Sequence, residues 1–329
     1  MKRWKLGAVG AAAAGLLLLA GCGTGGQGTS SQEENAPGAA AEARDLSYAV
    51  VIHGDPDGSF WNVVKRGAED AAKQYGVNVE VTGNVEGSEQ AKLIDSAVAK
   101  NPTGLVVSMA NPDALQSALA AAKGKNIPFV TINSGLDKSA EFGAISHVGQ
   151  TETVAGRGAG QQLKQAGGTN MVCIIHEAGN IGLEQRCKGA AEAFGGQVEN
   201  LQVDINNPQG IQSTVKSKLL GDKSVNSILA LNPDVAVAAL AGVKDAGSSA
   251  KVGAFDINSD VLSAIQAGDI LFTVDQQQYL QGYLPIAMLV LYHDNLNTVG
   301  GGMPVLTGPA FVTKDNVGPI TDLVGKGTR

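Results

Sequence analysis

Short apolar runs alternate with amphipathic helical patterns along most of this 329-residue chain. That alternation predicts βαβ units and parallel sheets. Strand-like runs fall at residues 46–53, 77–81, 104–108, 127–133 and 145–149, with helical patterns at 59–75, 89–100 and 112–123 between them. In the first helical pattern Val63, Val64, Ala68, Ala71 and Ala72 share one face, and Gly76 supplies the stop. The alternation then begins again. Helices are expected at 153–165, 183–194, 211–220, 235–246 and 260–267, and strands at 170–176, 198–203, 227–231, 251–256 and 270–274. The second half repeats the first in architecture, though not in sequence, so the expected fold is α/β with two similar lobes. A helix at 280–292 and one last extended run at 305–312 follow the repeat.

The N-terminus is set apart. Lys2, Arg3 and Lys5 precede a run, 6–19, made only of Leu, Ala, Val and Gly. A bilayer-spanning helix needs about 20 apolar residues, so this run is too short to serve as one. Leu19-Ala20-Gly21-Cys22 resembles a bacterial lipobox, which implies cleavage after residue 21 and lipidation of Cys22; a plain secretory signal containing a cysteine is the alternative. Residues 22–45 then read as the lipidated cysteine and a flexible linker. They are rich in Gly, Ser, Gln, Glu and Ala and have no apolar periodicity.

The remaining length suits two lobes better than one core. The chain carries a net charge of −7, and loss of Lys2, Arg3 and Lys5 takes this to −10. An acidic chain without basic clusters is a poor nucleic-acid binder. Beyond Cys22 only Cys173 and Cys187 remain. In an exported protein an even count favours a disulfide. One cysteine sits on a predicted strand and the other on the helix that packs after it. Two buried free thiols are the alternative. A metal site is disfavoured, because no CxxC spacing exists and His176 is the only nearby imidazole.

In open parallel sheets, ligands lie beyond the carboxyl ends of strands. Ser108, Asn133, Gln150, His176-Glu177, Asn232, Asp256 and Gln276 all follow such ends, and Arg186 lies one turn into a helix that starts at the same edge. Carboxylates and amides there suit hydroxyl groups. Each residue taken singly has a plainer role as a helix cap, Asn232 before Pro233 above all. The loop 53–59 ends in Phe60-Trp61. Trp61 falls off the apolar stripe, so it either stacks on a ligand ring or packs beneath the loop. No phosphate loop, nucleophile elbow or cofactor motif is present, so neither an enzyme nor a cofactor is expected.

These motifs together resemble one family. Phe60-Trp61, Asn126-Ile127-Pro128, His147-Val148-Gly149-Gln150, Gly253-Ala254-Phe255-Asp256 and the run from Asp275 to Tyr283 are similar to the type 1 periplasmic substrate-binding proteins of sugar ABC transporters, the ribose-binding-protein-like group. The resemblance implies two Rossmann-like lobes joined by a three-segment hinge. One lobe comprises 46–150 plus 277–307 and the other 151–276 plus 308–329. It implies a monomer that closes on a monosaccharide or small polyol and delivers it to a membrane permease. Phe60 and Trp61 would sandwich the sugar ring, with Ser108, Asn133, Gln150, Arg186, Asn232, Asp256 and Gln276 as polar contacts. Ribose binders commonly carry Asp-Arg where this chain has Asn133-Ser134, which puts ribose itself in question. The loop from His176 to Asn180, with Glu177 and Asn180, looks like a compensating subgroup feature. A receptor for a furanose-like signal such as autoinducer-2, or a sensory sugar receptor, is the alternative. A sugar-responsive DNA regulator would need a helix-turn-helix where the signal and linker stand.

Overall fold

The computed structural model describes residues 41–329. The signal sequence, Cys22 and most of the linker lie outside the described residues. The first half comprises β1 (Ser47–Ile52), α1 (Trp61–Tyr75), β2 (Asn78–Gly83), α2 (Gly87–Ala99), β3 (Gly104–Ser108), α3 (Pro112–Gly124), β4 (Phe129–Ile132), α4 (Leu136–Phe142) and β5 (Ser146–Gly149). The second comprises α5 (Glu152–Gln165), β6 (Asn170–Ile175), α6 (Ile181–Phe194), β7 (Gln197–Gln202), α7 (Pro208–Gly221), β8 (Ser227–Ala230), α8 (Pro233–Asp245), β9 (Lys251–Phe255), α9 (Ser259–Ala267) and β10 (Ile270–Asp275). The tail adds α10 (Gln278–Asn295), β11 (Val305–Leu306), β12 (Ala310–Thr313) and α11 (Gly318–Gly325).

Two six-stranded sheets result, in the orders β11-β5-β4-β3-β1-β2 and β12-β10-β9-β8-β6-β7. All pairings are parallel except β10 with β12. We call the two halves the N-lobe and the C-lobe. The chain passes between them after β5, after β10 and between β11 and β12. Central strands are apolar on both faces, as buried parallel sheets require: β3 and β6 are buried throughout. Phe129, Phe255 and Phe272 are fully buried, each contributing about 1.5–3 kcal/mol by burial.

Local chemistry sets the helix starts. Asn111-Pro112, Asn207-Pro208 and Asn232-Pro233 open α3, α7 and α8 alike. In each, the asparagine side chain accepts an amide of the first turn and proline takes the first helical position. Gly76 ends α1 at φ 66°, the left-handed cap that glycine adopts without strain.

Each lobe is braced by one close helix pair. A Cβ on Gly67 of α1 would strike the Tyr279 carbonyl of α10, and one on Gly282 of α10 would strike the Val64 carbonyl. In the C-lobe, Gly189 of α6 stands in the same relation to Thr153 of α5, and Gly156 of α5 to Arg186 of α6. The four glycines let backbones touch where any side chain would push them apart.

Three expectations need correcting. The run at 305–312 is two strands, not one. β11 belongs to the N-lobe and β12 to the C-lobe, because Gly308-Pro309 interrupts the ladder and proline brings no amide donor. α4 and α11 were not expected; at 7 and 8 residues they are too short to show a helical period. Helix α1 begins at Trp61 rather than Ser59.

Cys173 and Cys187 form a disulfide, Cα–Cα 5.9 Å, which ties β6 to α6. No helix of the described residues is long and apolar enough to cross a membrane.

Candidate ligand site between the lobes

The carboxyl ends of the two sheets face each other across a cavity of about 260 Å³. A water takes about 30 Å³ of liquid, so the space suits one small molecule. It lies just below the usual range of about 300–1,000 Å³ for drug-sized ligands. The lobes meet around it. Ser59 Oγ donates to Asp234 Oδ2 (2.7 Å), Gln185 Nε2 to Asp137 Oδ2 (2.8 Å), and the Ile181 amide to the Ala110 carbonyl (3.1 Å).

Nine of the eleven expected ligand residues line the cavity: Phe60, Trp61, Asn133, Glu177, Asn180, Arg186, Asn232, Asp256 and Gln276. Ser108 and Gln150 do not. Ser108 is fully buried behind the wall, where its hydroxyl meets the backbone amide of His53 (2.8 Å) and His53 Nδ1 (2.7 Å). Gln150 is equally buried and donates to Glu152 Oε2 (3.0 Å).

The aromatic pair is not a sandwich. Phe60 and Trp61 touch each other edge to face, with ring centroids 4.9 Å apart and planes at 84°. No ring fits between them. The indole also meets the edge of His53 at 4.8 Å and lies against the Gly54 backbone. Trp61 therefore packs beneath its loop and lines the cavity at once.

The C-lobe wall carries the buried charge. Arg186, 3 % exposed, makes a two-pronged contact with Glu152: Nε to Oε2 at 2.6 Å and Nη2 to Oε1 at 3.0 Å. Its Nη1 reaches the Leu231 carbonyl (3.4 Å) and lies 3.8 Å from Asp256 Oδ2, while the guanidinium covers the Phe255 ring at 4.6 Å. Burial alone would lower the Arg186 pKa, but Glu152 and Asp256 outweigh it and the group stays charged. Burial pushes the Asp256 carboxyl up to about 7, although Arg186 and the Gln276 amide (2.7 Å) pull the other way. Burial likewise raises Glu177 against the opposing pull of Asn180 and Arg186.

The amides are partly committed. Asn232 Oδ1 caps α8 through the Asp234 and Val235 amides, as expected. Asn180 Oδ1 caps α6 and its Nδ2 donates to Glu177 Oε2 (2.6 Å). Asn133 Nδ2 donates to Gln276 Oε1 and Gln281 Oε1, both at 3.2 Å, which joins the N-lobe wall to the strand-crossing segment. Asn133 (φ 60°) and Asp256 (φ 65°) hold the left-handed region, which asparagine and aspartate tolerate best after glycine.

Sequence reasoning passes over His53, Ser134, Asn206 and Asp234, which also line the cavity. For His53 the signal was present, because it follows β1 directly. Burial, then Arg186, pushes both His53 and His176 down to about 3, so both imidazoles are neutral at ordinary pH.

An interlobe cavity walled by fixed hydrogen-bonding groups defines a two-lobed receptor for a small ligand. The chain belongs to the periplasmic binding protein domain family, whose sequence profile matches residues 48–295. This is a family of binding proteins, not enzymes. The ribose import binding protein RbsB of Haemophilus influenzae is 28% identical over 242 residues, covering 70% of this chain and 80% of that protein. The xylitol-binding protein of Mycolicibacterium smegmatis is 26% identical over 328 residues, covering 95% and 86%. A carbohydrate transporter structure from Acidothermus cellulolyticus 11B, in complex with myo-inositol, superposes with a TM-score of 0.85 at 36% identity, covering 87% of this chain and 100% of that one.

Proposed function

We propose that this protein is the solute-binding lipoprotein of an ABC transporter. It captures an uncharged monosaccharide or small polyol between its lobes by hinge closure, and hands it to the permease. The observation that carries the reading is the cavity itself: an apolar aromatic wall on one lobe faces carboxylates and amides on the other. The ribose, xylitol and myo-inositol named for its relatives agree with a polyhydroxylated ligand. Arg186 is taken up by Glu152 and Asp256, so among the described residues lining the cavity no cation is free for a carboxylate or phosphate.

Closure around a ligand ties the lobes together. Attachment through Cys22 would keep the receptor near its permease. Calorimetric titration with myo-inositol, xylitol, ribose and arabinose tests the reading. At least one is expected to bind at micromolar Kd or tighter, and to quench Trp61, the only tryptophan besides Trp4. No response to any neutral sugar or polyol would overturn it. For the anchor, mass spectrometry of the membrane fraction is expected to find a chain beginning at acylated Cys22, and Cys22→Ala is expected to release the protein.

A further inference from the structure

Glu177 stands between two imidazoles. His53 Nε2 lies 3.9 Å from its Oε2, and His176 Nε2 lies 3.7 Å from its Oε1. Both separations exceed a hydrogen bond, which for N–H···O falls near 2.7–3.2 Å. All three side chains line the cavity, and Glu177 is partly open to it.

The hydrogen-bond network assigns the His53 tautomer. Ser108 Oγ accepts the His53 backbone amide, and His53 Nδ1 is the one acceptor among the described residues for its own hydrogen, so that proton is assigned to Nδ1. Nδ1 is then an acceptor, and Nε2 carries the hydrogen. That N–H faces Asn180 Nδ2 at 3.5 Å. Asn180 cannot accept there, because its Oδ1 is held by the α6 amides and its Nδ2 donates to Glu177. His53 is thus a neutral donor aimed across the cleft with no acceptor within hydrogen-bond distance among the described residues. His176 also has open capacity: its Nε2, the nitrogen that faces Glu177 Oε1 at 3.7 Å, has no hydrogen-bond partner among the described residues. Leaving such a group unpaired costs about 1–3 kcal/mol.

We propose that His53, Glu177 and His176 form a recognition element for two adjacent hydroxyl groups of the ligand, one bridging each imidazole–carboxylate gap. The inference rests on the neutral-polyol reading given above. A hydroxyl accepts one hydrogen bond and donates one, which is what a gap between an N–H and a carboxylate oxygen asks for. The two oxygens of one carboxylate accept side by side, so they match neighbouring hydroxyls. A single hydroxyl, an ether or a methyl group leaves one gap unfilled. His53 belongs to the N-lobe and Glu177 to the C-lobe, so the hydroxyl between them also holds the lobes shut.

The probes are myo-inositol, xylitol and ribose, with monodeoxy analogues of whichever binds. On the unaltered protein, removing either hydroxyl of one adjacent pair is expected to weaken binding at least tenfold. His53→Phe, His176→Phe and Glu177→Gln are each expected to weaken the parent ligand at least tenfold, with His53→Phe acting mainly through faster dissociation. His53→Gln, which keeps an amide donor near the Nε2 position, is expected to recover most of the loss. Each variant is expected to lose its preference for the parent over the analogue lacking its own hydroxyl. If the unaltered protein binds a parent ligand but tolerates every single deoxygenation, or if all three variants bind as tightly as it does, the diol element is wrong and the polyol reading survives. If no neutral sugar or polyol binds, both fall together.

Discussion

The two lobes are built on one plan, and their differences lie at matching positions. Counted from the paired glycines that brace each lobe, Arg186 of α6 corresponds to Val64 of α1, and Glu152 of α5 to Gln278 of α10. The same helix crossing therefore holds a buried ion pair in the C-lobe and a valine beside a buried amide in the N-lobe. Counted from the strand registers, Asp256 corresponds to Asn133, and Leu231 to Ser108, while His176 and His53 are alike. Only the C-lobe is cross-linked: no cysteine of the N-lobe's described residues exists to match Cys173–Cys187. The frame tolerates either a charged or a neutral filling, and this chain puts the buried charge on one side of its cavity. The other side is left for aromatic contact.

The largest expected break in this comparison comes at Arg186. Arg186→Met leaves the buried Glu152 carboxylate without its cationic partner, which is expected to cost about 3–5 kcal/mol in chemical denaturation and to abolish binding. Val64→Ala, at the matching N-lobe position, removes only apolar volume and is expected to cost less. Next comes the cross-link. Cys173 and Cys187 are 14 residues apart, and a loop of that size is worth about 3 kcal/mol. Cys173→Ala/Cys187→Ala is expected to lower C-lobe protection in hydrogen exchange while the N-lobe keeps its own.

Acid is expected to act next, and unequally. His53 and His147, both in the N-lobe, are pushed by burial down to about 3 and about 4. The unfolded chain takes up protons there first, so their contribution is complete above about pH 6.5. It is lost as pH falls toward those lowered values. In the C-lobe His176 behaves the same way, but Asp256 has the opposite sign. Its carboxyl is raised to about 7, so it favours the fold most below about pH 4 and least above 7. Hydrogen exchange between pH 6.5 and 4 is expected to show the N-lobe loosening before the C-lobe. Loss in the reverse order would contradict this assignment.

The smallest effect sharpens what the lobes share. Asn133→Ala is expected to be about 1–2 kcal/mol less stable than Asn133→Gly, because alanine resists the left-handed backbone. Asp256→Ala and Asp256→Gly are expected to differ by the same increment in thermal unfolding.

Much of this was legible beforehand, for identifiable reasons. The two-fold alternation of strands and helices follows from periodicity, and Asn232 announced its capping role through Pro233. The strand-end rule brought Asn133, Glu177, Asn232, Asp256 and Gln276 to one cavity because parallel sheets place all their carboxyl ends on one side. The same rule carries no information about depth. Ser108 ends β3 as Asn133 follows β4, yet Ser108 is spent on fixing His53, one layer behind the wall. The Phe60-Trp61 sandwich failed for a similar reason: neighbouring residues at a helix start lean on each other, and their ring planes are set by packing that spacing does not encode. Val64 and Arg186 look unrelated in sequence, and only the glycine contacts reveal that they share a place.

Helix α10 delivers Ile286, Met288, Leu289 and Val290 to the same apolar cluster as Val50, Ile52 and Val64 of the N-lobe. The first lobe to be synthesised is therefore not finished until most of the second has been made. When β5 has been made, its core still lacks a wall that lies some 130 residues downstream. At about 5–20 residues per second, that gap lasts on the order of ten seconds. Throughout it, the ribosome holds out a half-built sheet with its apolar face bare, a standing invitation to chaperones.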